Sequence, residues 1–281
     1  MQQAAGLQTP AIEVARLERV VAVDAHEGPV YVADEDALYF TTVRRESVAI
    51  KRVTLSDRGV SVLREDANMA NGMALDRAGH LVVCEQGTLT EAARVSRVDR
   101  ATGETETLVE GLNSPNDVVV ARDGSIWFTD PSYGYLQGFR PEPGAPDAVY
   151  RFDPASDDLS VFADSLDKPN GIAFSPDESI LYVADNGRPH HLLAFDLAAG
   201  TSRVFAVATT GHPDGLKVDA RGFVYASAEG GVEILSPSGE RAGGIDLPGA
   251  VNFTFGGPNG DVLFLTTDDA IWAAELDLKG A

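Results

Sequence analysis

The chain is nearly devoid of cysteine. Cys84 is the only one in 281 residues, which excludes an internal disulfide framework and fits a reducing compartment. Positive charge is scarce as well: 22 Lys and Arg face 43 Asp and Glu, a formal net charge of −21. A surface of that sign repels nucleic-acid phosphates, so nucleic acid is not expected as a partner, whereas divalent cations are attracted. Long apolar runs are missing, and no segment reaches the uncharged length of a membrane span. The opening MQQAAGLQTPAIEVARLERV holds no apolar stretch of signal-peptide length and is broken by Glu13, Arg16 and Glu18. A soluble, cytoplasmic protein without a membrane partner is the expectation. No stretch reads as a helix of domain size either.

What is present points to many short elements. Hydrophobic residues make up 44% of the chain, enough for a sizeable core, while 28 Gly and 15 Pro are scattered through it. Six stretches share one design: EGPVYVADEDALYFTT (27–42), NGMALDRAGHLVVCEQG (71–87), NDVVVARDGSIWFTDPSYG (116–134), NGIAFSPDESILYVADNG (170–187), DGLKVDARGFVYASAEGG (214–231) and NFTFGGPNGDVLFLTTDD (252–269). Each opens on Glu, Asn or Asp, continues with a short apolar run, turns at a DRAG, RDG, SPDE or similar tetrad, and returns in a second apolar run. That is a hairpin pattern, with turn residues where positive φ or side-chain capping is needed. Most are followed by a further hairpin such as RVDRATGETE or RFDPASDDLS. Four strands per unit and six units predict an all-β, six-bladed β-propeller, a single domain over 1–281 with residues 1–12 as a flexible tail. The sixth unit ends one strand short, so EVARLERV (13–20) is expected to pair near Ile271–Leu276 and close the ring.

In a propeller the first strand of each blade lines the axis, so equivalent positions face one another. Those positions are Glu27, Asn71, Asn116, Asn170, Asp214 and, less regularly, Asn252. Two carboxylates with several amides, and no thiolate or imidazole, form an oxygen-only set. Glu27, Asn116, Asn170 and Asp214 are the candidate ligands of one divalent cation. Ca²⁺ ranks first, ahead of Mg²⁺, Mn²⁺ and Zn²⁺. Turn capping is the alternative reading for any one of them, weakest for Glu27 because Glu is a poor turn residue. The loops after each second strand reach the same face, which makes Glu85, Tyr133 and His190 candidate substrate contacts beside the entrance residues Asn71 and Asn116. The Gly- and Pro-rich segment 131–147 is long enough to lie over the mouth. Strand alternation points His26 away from the axis, and Cys84 reads as a small buried hydrophobe rather than a nucleophile.

The ordered series EGPV, SPNDVVV, KPNGIAFSPD, HPDGLKVD, SIWFTDPSYG and NFTFGGPNGDVLFLTT resembles the SMP-30/gluconolactonase family over nearly the whole chain, and CEQG with SIWFTDPSYG is most similar to its bacterial gluconolactonase branch. The resemblance implies a six-bladed propeller with a divalent metal in the tunnel and hydrolysis of a small-molecule lactone. By the same resemblance Glu27, Asn170 and Asp214 match metal ligands, Asn116 completes the shell or holds substrate, and Asp214 matches the general base. Ser114 and Pro115 stand where the animal branch has an Arg that contacts sugar hydroxyls. Competing readings are a phosphotriester hydrolase on the same site, a non-catalytic binding propeller, and a strictosidine-synthase-like condensing enzyme. Two inward carboxylates weigh against the last two.

Overall fold

In the computed structural model residues 12–188, 190–209 and 211–277 are described. They form six four-stranded antiparallel sheets, each in chain order except the last. The innermost strands are Glu27–Val32, Ala70–Leu75, Val118–Val120, Pro169–Phe174, Leu216–Val218 and Asn252–Gly256. The helical content is a single turn, Tyr133–Leu136. The turn chemistry explains the hairpins. In DRAG, Asp76 Oδ1 accepts the N–H groups of Ala78 and His80, both at 2.9 Å, and Gly79 supplies the positive φ of +87°. Asp123 does the same for Ser125 in RDG.

Second strands such as Ala37–Thr41, Leu81–Glu85 and Ile126–Asp130 are buried at every residue. A strand covered on both faces has no solvent side, which is why these segments read as continuous apolar runs rather than as alternation. The apolar packing lies between blades rather than within them. Val82, Cys84 and Val95 of the second blade meet Val118, Ile126 and Phe128 of the third, and Trp127 packs edge-on against Phe174 of the fourth at 5.6 Å. Each sheet therefore depends on both neighbours.

Ring closure is as expected. Glu13–Ala22 pairs antiparallel with Ala270–Asp277, with Val14 opposite Leu276 and Val21 opposite Ile271. Val20 inserts among Leu38 and Phe40 of the first blade and Phe264 and Ile271 of the last. Of the expected tail, residues 1–11 lie outside the described residues. Ile12 is not part of a tail: it is buried, packs on the fifth blade and donates its N–H to Ala242 O at 3.0 Å.

Closure by packing predicts a sharp contrast between two neighbours. Val20→Asp, which forces a carboxylate into that interface, should lower stability by about 3 kcal/mol. Arg19→Gln, on the exposed side of the same strand, should stay within about 0.5 kcal/mol of the parent. Thermal and urea unfolding of the two variants measures this, and equal losses would refute a packed closure.

Candidate functional site

Three blades begin their inner strand with the same irregularity. The ladder skips between Glu27 and Val30, between Ala70 and Met73, and between Pro169 and Ile172. The skipped residues leave the sheet and turn toward the axis, as bulges do. In the first blade Gly28 makes this possible with φ of +56°, and a Cβ there would come within 2.4 Å of Asn71 O. Side-chain hydroxyls from the second strands then fasten each blade to the next. Thr41 Oγ1 donates to Asn71 O at 3.2 Å, Thr129 Oγ1 to Asn170 O at 2.8 Å, and Thr266 Oγ1 to His26 O at 2.6 Å. All three threonines are fully buried, so the entrance residues sit on a rigid inner belt.

That belt brings Glu27, Asn71, Asn116, Asn170 and Asp214 to one cavity of about 400 Å³, together with Tyr133 and Asn186 from the loops. Glu27, Asn116 and Asn170 are 3%, 6% and 5% exposed, while Asp214 opens onto the cavity from within the ring. Burial pushes the Glu27 carboxyl above the usual carboxylate range, opposed by His26 and reinforced by the charge of Asp117. Burial and the facing charge of Glu27 push Asp214 well up, against a hydrogen bond from Asn170. Glu27 Oε2 also accepts from Asn252 Nδ2 at 2.7 Å and from Gly28 N at 3.2 Å. Asp117 lies beside this pair. It is 2% exposed, its Oδ2 has no hydrogen-bond partner, and Lys217 Nζ stands 3.8 Å away. Its side chain fits because Gly72 leaves room: a Cβ there would lie 2.5 Å from Asp117 Oδ1. The two polar residues that begin the third inner strand thus have separate roles, Asn116 facing the cavity and Asp117 filling the belt.

The segment 131–147 does reach the mouth, since Tyr133 and Gln137 line the cavity. Arg140 moors it, donating to the carbonyls of Asn113, Thr88 and Glu91 at 3.0, 2.7 and 2.8 Å. Ser114 Oγ accepts Gly134 N–H at 2.9 Å, so Ser114 holds the turn carrying Tyr133. Burial and the charge of Asp214 raise the Tyr133 phenol, which hydrogen-bonds with Asn186 and Asn170. Asp130 and Asp185 brace the loops before the entrances. Asp130 accepts Asn113 N at 2.9 Å and Ser114 N at 2.7 Å, and Asp185 accepts Lys168 N at 2.8 Å.

Four expectations change. Glu85 does not reach the cavity: it is fully buried, with Arg64 at 2.6 Å, Arg94 at 2.7 Å and Ser96 Oγ at 2.6 Å, because it is the last ladder residue opposite Ala70 rather than a loop residue. His190 does not line the cavity either. With φ of +68° it turns back, its Nδ1 on Asn186 O at 3.1 Å and its ring 4.4 Å from that of His212. Asn252 stays in a regular ladder opposite Thr266, one position deeper, where it supports Glu27 instead of lining the cavity. His26 does line it, with Nδ1 2.7 Å from Asp268 Oδ1: the inner strand begins only at Glu27, so strand alternation does not govern the residue before it. Sequence reasoning also missed Arg44, Gln86 and Gln137 in the lining, which follow no repeated position. Cys84 is buried and its thiol is pushed up by burial and by the surrounding carboxylates, which suits packing and not nucleophilic attack.

The donor set fits a hard divalent cation. Among the described residues no three His, Cys, Asp or Glu side chains converge, so amide oxygens have to complete any shell around Glu27 and Asp214. Asn116 Oδ1 is suited to this: it is buried and has no hydrogen-bond partner, which in an interior is costly unless something binds it. Two neighbouring carboxyls whose charged forms are disfavoured by burial would likewise be relieved by a shared divalent cation.

Residues 25–269 match the SMP-30/Gluconolactonase/LRE-like region. A gluconolactonase of Zymomonas mobilis is 30% identical over 267 residues, covering 83% of this chain and 73% of that protein. A lactonohydrolase of Aspergillus oryzae is 26% identical and covers 92% of this chain and 69% of its own length. Among solved structures, a gluconolactonase from Xanthomonas campestris superposes with a TM-score of 0.84 at 34% identity, over 97% of this chain and 96% of that one. The calcium-binding protein regucalcin of Agrobacterium tumefaciens has the same fold, with a TM-score of 0.75 at 18% identity over 94% of this chain and 95% of its own.

The environment of Asp130 generates a pH prediction. Burial lifts its carboxyl to about 7, against the two N–H groups that lower it, while unfolded Asp titrates near 3.9. The folded state therefore holds an extra proton between these values. This stability is fully present below about pH 4 and is lost as pH rises through about 7. Asp130→Asn cannot titrate, so its unfolding free energy relative to wild type should rise from pH 5 to pH 8. Urea denaturation at the two pH values checks it, and a pH-independent difference would show that Asp130 is ionised throughout.

Proposed function

The chain belongs to the SMP-30/gluconolactonase/LRE-like family, and on that basis we propose that it is a cation-dependent hydrolase that opens a small lactone. The observation that carries the proposal is the meeting of two buried carboxylates, Glu27 and Asp214, with the partnerless Asn116 Oδ1 at one cavity. Glu27, Asn116, Asn170 and Asp214 would hold the cation, Ca²⁺ before Mg²⁺, Mn²⁺ or Zn²⁺. When bound, the cation supplies the charge that keeps both carboxylates ionised and polarises the lactone carbonyl.

The remaining chemistry belongs to side chains. Asp214 takes a proton from the attacking water as the water oxygen bonds to the carbonyl carbon, then returns it to the ring oxygen as the acyl C–O bond breaks. The product is a hydroxy acid. The Tyr133 phenol, kept protonated by burial and by Asp214, offers an O–H to a substrate oxygen, and Asn71 and Asn186 provide further polar contacts along the wall. Glu85 cannot substitute as base, because both of its oxygens are engaged by Arg64, Arg94 and Ser96.

Acid release from a panel of five- and six-membered lactones, followed with a pH indicator, tests the activity. Lactones should exceed paraoxon-type phosphotriesters in kcat/KM, and chelation should abolish turnover. Glu27→Gln keeps the shape but removes one anionic ligand, so its cation content after dialysis should fall by at least tenfold. A clear preference for phosphotriesters, or full cation occupancy in the variant, would overturn these assignments.

Asp214→Asn separates base from ligand. The amide still offers an oxygen to the cation but accepts no proton, so kcat on the best lactone should fall by about two to four orders of magnitude at saturating cation. Retention of more than a tenth of the parent kcat would remove Asp214 from the role of base.

A further inference from the structure

One residue of the cavity lining is a cation at its solvent-exposed rim. Arg44 reaches the lining from the loop after the second strand of the first blade. Its guanidinium carbon sits 4.4 Å over the ring of Phe139, in the 131–147 segment. No carboxylate among the described residues forms an ion pair with it, although the chain has 43 acidic residues against 22 basic ones. Some arginines find acids among the described residues, as Arg52 does with Glu35, Arg94 with Glu85 and Arg221 with Asp219; exposed ones such as Arg19, Arg58 and Arg203 do not, and what sets Arg44 apart from these is its place in the cavity lining. A guanidinium stacked on an aromatic face keeps its N–H edge free and pre-oriented, the arrangement that suits bidentate capture of a planar anion.

Apart from the imidazole of His26, which is paired with Asp268, the rest of the lining is neutral or acidic. Amides from Gln86, Gln137 and Asn71 provide hydroxyl-type contacts, Val43 and Val48 provide an apolar flank beside Arg44, and Glu27 and Asp214 lie deeper. Arg44 is the only Lys or Arg among the lining residues. A phosphate dianion would call for more than one cation in a protein of net charge −21, whereas one guanidinium matches one carboxylate. A cavity of about 400 Å³ is at the small end for ligand sites, which suits a compact ring bearing one short substituent.

We propose that Arg44, held over the mouth by Phe139, recognises a carboxylate substituent on the substrate, so that the preferred substrates are lactones that already carry an acid group away from the ring carbonyl. This rests on the lactonase reading given above. Hydrolysis of such a compound adds one water, breaks the acyl C–O bond and yields a hydroxy diacid, with no further reactant. Arg44 acts here as a specificity residue and takes no part in the bond-breaking step.

The test compares 5-oxotetrahydrofuran-2-carboxylate with its primary amide, which has the same ring and shape without the charge. Wild type, saturated with Ca²⁺, should favour the carboxylate at least tenfold in kcat/KM. Arg44→Gln should lose about 10- to 100-fold on the carboxylate, almost wholly through KM, in line with the loss of a charge-assisted hydrogen-bonded pair, and change less than threefold on the amide. Arg44→Lys should recover part of the loss. Equal losses on both compounds would mean that Arg44 only holds the 131–147 segment in place, and no loss on either would mean that it does not touch substrate. Either result overturns the inference. Neutral lactones opened without any carboxylate preference would overturn it while leaving the lactonase reading intact, whereas a wild type that opens no lactone of any kind would overturn both.

Discussion

No blade of this protein can bury its own apolar surface. A four-stranded sheet has two faces, and here both are covered by neighbouring sheets, so that Val82 and Cys84 need Phe128 and Trp127 needs Phe174. A row of such sheets is stable only if it has no ends, and that condition is met by Glu13–Ala22 pairing with Ala270–Asp277 and by Val20 entering the junction between the last blade and the first. Everything at the axis follows. Once the ring is closed, six inner strands point at one line, and whatever side chains start those strands are forced together.

What is forced together is unfavourable by itself. Glu27 and Asp214 are enclosed beside one another, with Asp117 as a third negative group; burial raises both carboxyls, Asp117 adds to both, and the charge of Glu27 adds to Asp214. Local hydrogen bonds only partly offset this: Asn252 and Gly28 reach Glu27, Asn170 reaches Asp214, and Lys217 stands 3.8 Å from Asp117. The belt of Thr41, Thr129 and Thr266 keeps the groups from moving apart. A rigid, acidic, oxygen-lined cavity is thus built by packing forces that have nothing to do with chemistry, and its unfavourable charge is what the proposed cation would relieve.

The mouth is built differently. It draws on single, unrepeated residues: Tyr133 and Gln137 from a segment fastened by Arg140 and Ser114, Asn186 from the loop after Asp185, and Arg44 from the first blade. Repetition sets the floor of the cavity, and departures from repetition set its walls. Specificity in such a ring accordingly resides where the six units are least alike.

The sequence by itself determined the number of blades, their four-strand content, the closing strand and the residues at the inner entrances, because each of these is written locally in turn tetrads, apolar runs and a recurring Asn or Asp that strand geometry acts on directly. It did not determine the fate of side chains whose direction depends on a bulge or on a distant partner. Glu85 looks like Asp130 or Tyr133 until Arg64 and Arg94, from neighbouring strands, are seen to claim it. His26 faces the cavity because it precedes the strand that begins at Glu27, Asn252 stays in an unbulged ladder, and His190 turns away through a positive φ. Alternation along a strand is a local rule that one extra residue reverses, and only the tertiary structure, in which neighbouring blades decide where the extra residue goes, resolves which side chains face the axis.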